Sequence, residues 1–169
     1  INVAMLSTYR FLEKVIDEIG RMYQDAGVEL PAFHVGGDEV PEGIWEGSSV
    51  CRTFMKKHGL TKIRDLKDYF LGQILEMLDK RNIQAVGWQD IVMNPDNTVN
   101  EHFRNSKVLN YCWNTIPEQG GDEVPYKLAN AGYPIILCNV GNFYLDMAYC
   151  YHVEEPGLRW GGYVDEYVT

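Results

Sequence analysis

No apolar run in this sequence approaches the roughly 20 residues that a membrane-crossing helix needs. The longest are stretches such as Pro134-Ile135-Ile136-Leu137-Cys138. Positive charge is also scarce: 15 Lys and Arg stand against 24 Asp and Glu, a formal net charge of −9. A field of that sign repels phosphate backbones and anionic lipid, so nucleic acid is not an expected partner. The four cysteines (Cys51, Cys112, Cys138, Cys150) form no CxxC pair and show no metal-ligand spacing, so they are expected to be small buried hydrophobes. HExxH is missing, as are GxGxxG, GxxxxGK[ST] and GxSxG, and Ser48-Ser49 has no convincing His and acid partners. These absences remove the usual signatures of a zinc hydrolase, a nucleotide-phosphate cradle and a serine nucleophile. No internal repeat, low-complexity tract or Pro/Gly/Ser-rich linker divides the chain, and residues 1–169 read as one domain. No secretory leader is expected within these residues, and the opening at Ile1 without Met gives the expectation of an excised piece.

What is present is ordinary in bulk. The 169 residues are 46% hydrophobic and 23% charged, enough for one domain with its own core. Four β-rich runs recur at residues 32–35, 84–88, 108–113 and 135–140. They lack polar alternation over most of their length, which suits parallel strands covered on both faces. Between them lie helical periods. Phe11, Leu12, Val15, Ile16, Ile19 and Met22 fall on one face, with Ser7 or Thr8 as a cap and Gly27 as a stop. A second stripe runs through Ile63, Leu66, Tyr69, Phe70, Ile74, Leu75 and Leu78 and stops near Asn82. Shorter helices are expected around residues 50–57 and 122–131, the latter ended by Gly132. Strand and helix alternate, so the fold class is α/β with a parallel sheet and right-handed crossovers.

Each strand-like run ends in residues that make poor packing choices. The first ends in Gly36-Gly37-Asp38-Glu39, the second in Trp88-Gln89-Asp90, the third in Trp113-Asn114, and the fourth leads to Tyr144-Leu145-Asp146. Parallel α/β folds assemble their sites at the carboxyl ends of strands. Adjacent carboxylates at Asp38 and Glu39 repel, and two glycines before them allow both to turn toward one mouth. Environments that separate two carboxyl pKa values give an acid and an anion, the pair used to cleave glycosidic bonds. Sugars present apolar C–H faces ringed by hydroxyls, and Trp88, Trp113 and Trp160 with Tyr144 and Asp146 make up a matching set. A metal set of His34, Asp38, Glu39 and His58 has the wrong spacing for zinc. Instead, His34 is expected to be buried and hydrogen-bonded beneath the carboxylates. His58, His102 and His152 read as surface residues, Pro156-Gly157 as a turn, and Trp160-Gly161-Gly162 as a flexible loop over a ligand.

The string His34-Val35-Gly36-Gly37-Asp38-Glu39 resembles the signature of glycoside hydrolase family 20, the β-N-acetylhexosaminidases. Ser7-Thr8-Tyr9-Arg10, Gly87-Trp88, Tyr144-Leu145-Asp146 and the loop from Cys150 to Trp160 are similar to its bacterial chitobiase branch. The resemblance runs in order along the whole chain. It implies a (β/α)8 barrel and a retaining, substrate-assisted mechanism through an oxazolinium intermediate. Glu39 is then the acid and base, Asp38 the partner of the acetamido N–H, and Tyr144 the donor to its oxygen. Trp88, Trp113 and Trp160 become pocket walls and Asp146 a ligand for sugar hydroxyls, with no metal or organic cofactor.

A barrel of this kind takes about 250 residues, so the chain is expected to hold about strands four to seven with flanking helices. The family's Arg and His from earlier strands, and a Trp and Glu from the eighth, fall outside it. Losing those oriented contacts is expected to cost the isolated chain orders of magnitude in rate even with its acid in place. Half-barrel surfaces of this kind favour a homodimer, and the resemblance implies a secreted or periplasmic parent. The alternatives are a non-catalytic carbohydrate- or partner-binding module, which would bind sugar weakly without turnover, and a metal-dependent barrel hydrolase, whose activity chelation would abolish.

Overall fold

A computed structural model describes residues 1–38, 40–41 and 43–162. Its helices are α1 (Leu6–Asp25), α2 (Ser49–His58), α3 (Ile63–Asp79), α4 (Val124–Asn130) and α5 (Val140–Phe143). The strands β1 (Ala32–His34), β2 (Gln84–Trp88), β3 (Leu109–Cys112) and β4 (Ile135–Leu137) form one sheet in the order β1-β2-β3-β4. β2–β3 and β3–β4 pair in parallel, with Trp88 opposite Tyr111 and Tyr111 opposite Ile136. The expected α/β fold with a parallel sheet is therefore present. Among the described residues no helix is long and apolar enough to cross a membrane.

The chain divides into two compact units. The first holds Ile1–Val35 and the stretch that ends at Ala85; the second holds Gly36–Asp38 and the stretch from Val86 onward. In the first unit, Val3, Trp45, Cys51 and Leu66 form a buried cluster, with Phe54, Leu60, Ile63 and Phe70 packed against it. Tyr9 of α1 meets Tyr69 of α3 edge-on at 6.2 Å and Phe70 at 6.0 Å. Its hydroxyl donates to the Val3 carbonyl, which satisfies the polar tip of a buried ring.

Helix ends in this unit correct the sequence reading in one place and match it in another. Ser7 and Thr8 do not cap α1, because the helix already starts at Leu6 with Met5 as N-cap. The Thr8 hydroxyl donates instead to Asn2 O at 2.7 Å. Phe11 and Met22 are exposed rather than inward, since the buried line runs through Tyr9 and Ile16 and both lie about 200° around the helix from Tyr9, on its far side. At α2 the Ser48 hydroxyl accepts from Cys51 N at 3.2 Å, and Gly59 closes the helix at φ 67°.

In the second unit, Val108, Cys112, Val124, Leu128, Val140, Met147 and Ala148 are buried. Asn110 is also fully buried, its amide donating to Val108 O at 2.9 Å and Pro134 O at 3.3 Å. Coverage of both faces holds for Ala85, Val86 and Gly87 of β2 but not for β4, where Ile136 and Leu137 are exposed. β4 is last in the sheet order and shorter than its apolar run, because the chain turns into α5 at Val140. The cysteines are free and only two, Cys51 and Cys112, are buried; Cys138 is half-buried and Cys150 exposed.

Candidate functional site

Glycine geometry sets the mouth. Gly36 and Gly37 follow β1 at φ 70° and 100°, a region that side-chain-bearing residues rarely adopt. A Cβ on Gly37 would fall 2.0 Å from the Ile91 methyl, and one on Gly87 would meet Ile91 at 2.6 Å and Gly36 O at 3.1 Å. Gly36 O accepts from Trp88 N at 3.0 Å. Three glycines thus let the chain after β1 press against the end of β2, and Asp38 emerges exposed at that end. Glu39, the expected acid, lies outside the described residues. His34 is exposed on β1 rather than buried beneath the carboxylates, because β1 is first in the sheet order and only one side of it pairs.

The ends of β2 and β3 are tied by side chains. Gln89, only 5% exposed, follows β2, and its Oε1 accepts from Trp113 N at 3.0 Å and Asn114 N at 3.3 Å. Asp90 Oδ2 accepts from the Trp113 indole Nε1 at 2.8 Å. Trp88, half-buried, stands edge-on to Tyr111 at 6.1 Å, as their opposed register requires. Beyond the short α5, Tyr144 is half-buried and Asp146 exposed.

The returning segment completes the wall. Asp146 O accepts from Leu158 N, and Leu158 O from Ala148 N, both at 2.7 Å. The turn predicted at Pro156-Gly157 falls earlier, at Val153-Glu154, where Glu155 N donates to His152 O at 3.1 Å; Gly157 is a bend whose Cβ would strike the Ala148 backbone at 2.4 Å. In the expected loop, Gly161 lies so close to Val140 and Met147 that an added Cβ would meet the Val140 methyl at 2.4 Å. Trp160 consequently stands edge-on to Trp113 at 6.0 Å and to Tyr144 at 5.9 Å.

Charge converges on Tyr144. Burial pushes its hydroxyl upward from the ordinary tyrosine range, and Cys138, Asp38, Asp146 and Asp90 raise it further. The structure thus gathers Asp38, Trp113, Tyr144, Asp146 and Trp160, with Trp88 on the adjoining strand end. Sequence reasoning noted Gln89 and Asp90 as strand-end residues without assigning them to the site. A buried-type position carrying Gln immediately after a strand was the available signal. Among the described residues no group of three His, Cys, Asp or Glu side chains could hold a metal ion.

Aromatic rings, a tyrosine and carboxylates at the carboxyl ends of parallel strands define the class as an α/β protein with a strand-end site. Similarity to known proteins narrows that class. The profile described as glycosyl hydrolase family 20, catalytic domain, matches residues 1–169, and the chain belongs to that family. It is 30% identical over 162 residues to a beta-hexosaminidase of Vibrio vulnificus, covering 95% of this chain and 19% of that protein. An N,N'-diacetylchitobiase of Vibrio harveyi is 27% identical, covering 95% of this chain and 21% of that protein. Among solved structures, the family 20 exo β-N-acetylglucosaminidase of Vibrio harveyi in complex with N-acetylglucosamine superposes with a TM-score of 0.77. The match is 28% identical and covers 97% of this chain and 23% of that one. This chain therefore spans about a fifth of the length of its curated relatives, and its sheet is a four-strand part of a (β/α)8 barrel.

Proposed function

We propose that this chain carries the acid-bearing part of a β-N-acetylhexosaminidase, releasing terminal non-reducing GlcNAc or GalNAc with retention of configuration. The observation that carries the reading is the edge-on run of Trp113, Trp160 and Tyr144 at the strand ends, with Asp38 and Asp146 close enough to act on the Tyr144 hydroxyl. In this reading Tyr144 donates to the acetamido oxygen and Asp38 accepts from the acetamido N–H. Together they aim that oxygen at the anomeric carbon. Glu39 protonates the glycosidic oxygen as the C–O bond breaks, and an oxazolinium ring forms with Asp38 balancing its positive charge. Glu39, now a carboxylate, takes a proton from water as it opens the ring. Trp88, Trp113 and Trp160 enclose the N-acetyl group and the pyranose, and Asp146 accepts from sugar hydroxyls. The family names of the relatives support the substrate class, and the HxGGDE string supports Glu39.

The test is chromophore release from an aryl β-N-acetylglucosaminide, with Glu39→Gln prepared alongside. Turnover that falls at least about 100-fold in the Gln protein is expected for loss of a general acid. Equal turnover in both would remove Glu39 from the role. Binding of N-acetylglucosamine without turnover in either would favour the sugar-binding module over the enzyme. The proposal extends to pairing of two copies across the exposed apolar residues Leu137, Phe143 and Leu145. A single monomer boundary in sedimentation at high concentration would exclude that pairing. A secreted or periplasmic setting belongs to the same reading.

A further inference from the structure

We propose that Asp90 is a positioning residue: its carboxylate fixes the rotation of the Trp113 indole, and so sets the aromatic wall against which the N-acetyl sugar packs. The inference rests on the hexosaminidase reading and adds to it a residue that would not itself touch the sugar. An indole has a single hydrogen-bond donor and no acceptor. At Trp113 that donor is committed to Asp90 Oδ2 at 2.8 Å, a bond of the charge-assisted kind, roughly twice as strong as a neutral one. Trp113 therefore offers a ligand its ring face and not its N–H, which selects for C–H faces and methyl groups over hydroxyls.

The neighbouring residue secures the other half of the side chain's geometry. Gln89 Oε1 accepts from the backbone N–H of Trp113, so two consecutive residues after β2 hold the backbone and the ring separately. With both in place the indole is left one orientation. The consequence travels outward, because Trp160 rests edge-on against Trp113 and Tyr144 edge-on against Trp160. A rotated Trp113 would displace the support of the ring that stands beside the acetamido donor. Asp90 also lies close enough to Tyr144 for its charge to help keep that hydroxyl protonated.

The decisive experiment pairs a ligand-free reading with a binding one on this chain. Hydrogen exchange at the Trp113 indole N–H, its resonance assigned by loss in Trp113→Phe, is compared across wild type, Asp90→Ala and Asp90→Asn. N-acetylglucosamine affinity is measured by calorimetry on the same proteins. Asp90→Ala is expected to speed Trp113 indole exchange and weaken the sugar about tenfold, the scale of one hydrogen bond to a charged group. Asp90→Asn, which keeps an acceptor, should recover to within about threefold. In the Trp113→Phe background Asp90→Ala should cost nothing further, since Phe has no N–H to hold. The Trp45 indole, in a separate cluster, reports the fold; should Asp90→Ala lose it, Asp90→Ser takes its place. Unchanged Trp113 exchange, unchanged affinity, or an equal loss in the Phe background each overturns the inference. A wild-type protein without affinity for the sugar overturns the hexosamine reading and the role of the pair together, whereas wild-type affinity undiminished by Asp90→Ala overturns the positioning role alone.

Discussion

Trp45 and Trp113 each donate an indole N–H, one in each compact unit, and the company they keep separates packing from recognition. Trp45 is 8% exposed, its nitrogen on the Ile1 carbonyl at 3.2 Å, within a cluster of Val3, Cys51 and Leu66. Around it Tyr9, Tyr69, Phe54 and Phe70 touch one another as rings in a helical interface. Trp113 instead gives its N–H to a carboxylate and meets Trp160, which is 46% exposed, in an edge-to-face contact. Both regions are rich in aromatics, so aromatic content does not mark a sugar site. Rings held by polar tethers while their faces stay open do, because a core ring needs no orientation beyond what packing gives it.

Glycine provides the sharpest way to break that contrast. Within α1, a Cβ added at Gly20 would meet nothing within 4 Å, and Gly20→Ala is expected to stabilise by about 0.5–1 kcal/mol through helix propensity alone. Gly37→Ala meets both a φ of 100° and the Ile91 methyl at 2.0 Å. Left-handed backbone and overpacking together are expected to remove about 3 kcal/mol. Urea midpoints of the two variants test the pair. If Gly37→Ala unfolded at the wild-type midpoint, the close approach of the mouth to Ile91 would be wrong.

That pair also shows what the sequence could convey. Four apolar runs bounded by helical stripes were enough for a parallel α/β order, and Gly36-Gly37 announced a special backbone before two acids. Strand ends marked the site because unusual residues recurred there. The tethers were hidden for a physical reason: they depend on register. With Trp88 opposite Tyr111, residues 89 and 90 come beside 112 and 113, and one step of slip would put Asp90 out of reach of the indole. His34 and Phe11 failed differently. Edge position in the sheet left His34 exposed, and a place on the far side of α1 from Tyr9 and Ile16 left Phe11 exposed.

A smaller effect distinguishes the two regions through tyrosine. Burial raises Tyr9 and Tyr144 above the ordinary range, with Tyr69 adding to Tyr9 and the thiol and carboxylates adding to Tyr144. For a group raised on folding, stability is intact below the unfolded value of about 10 and falls as pH rises through the folded one. Phenolate absorbance should therefore show these two rings titrating above the free tyrosine value of about 10. Tyr144→Phe should lessen the alkaline loss without altering stability at neutral pH. Titration of Tyr144 at the free value would mean that neither its burial nor the neighbouring carboxylates act on the hydroxyl.

The smallest expected effect belongs to the first unit, where polar tethers also occur but hold no ring. Arg81 Nε donates to Asp17 Oδ1 at 2.7 Å, joining α1 to the turn after α3, and this bond holds the Asp17 carboxyl below its ordinary range. A group lowered on folding contributes stability above the unfolded value of about 3.9 and loses it as pH falls through the folded one. Asp17 is 48% exposed and Arg81 26%, so water screens the pair and Asp17→Asn should cost only about 0.5 kcal/mol near neutral pH. Thermal midpoints of the variant and wild type should converge in high salt and again in acid, where both carry a neutral side chain. A difference that survived both conditions would make Asp17 a packing residue, and polar tethering with structural weight would no longer be peculiar to the strand ends around Trp113.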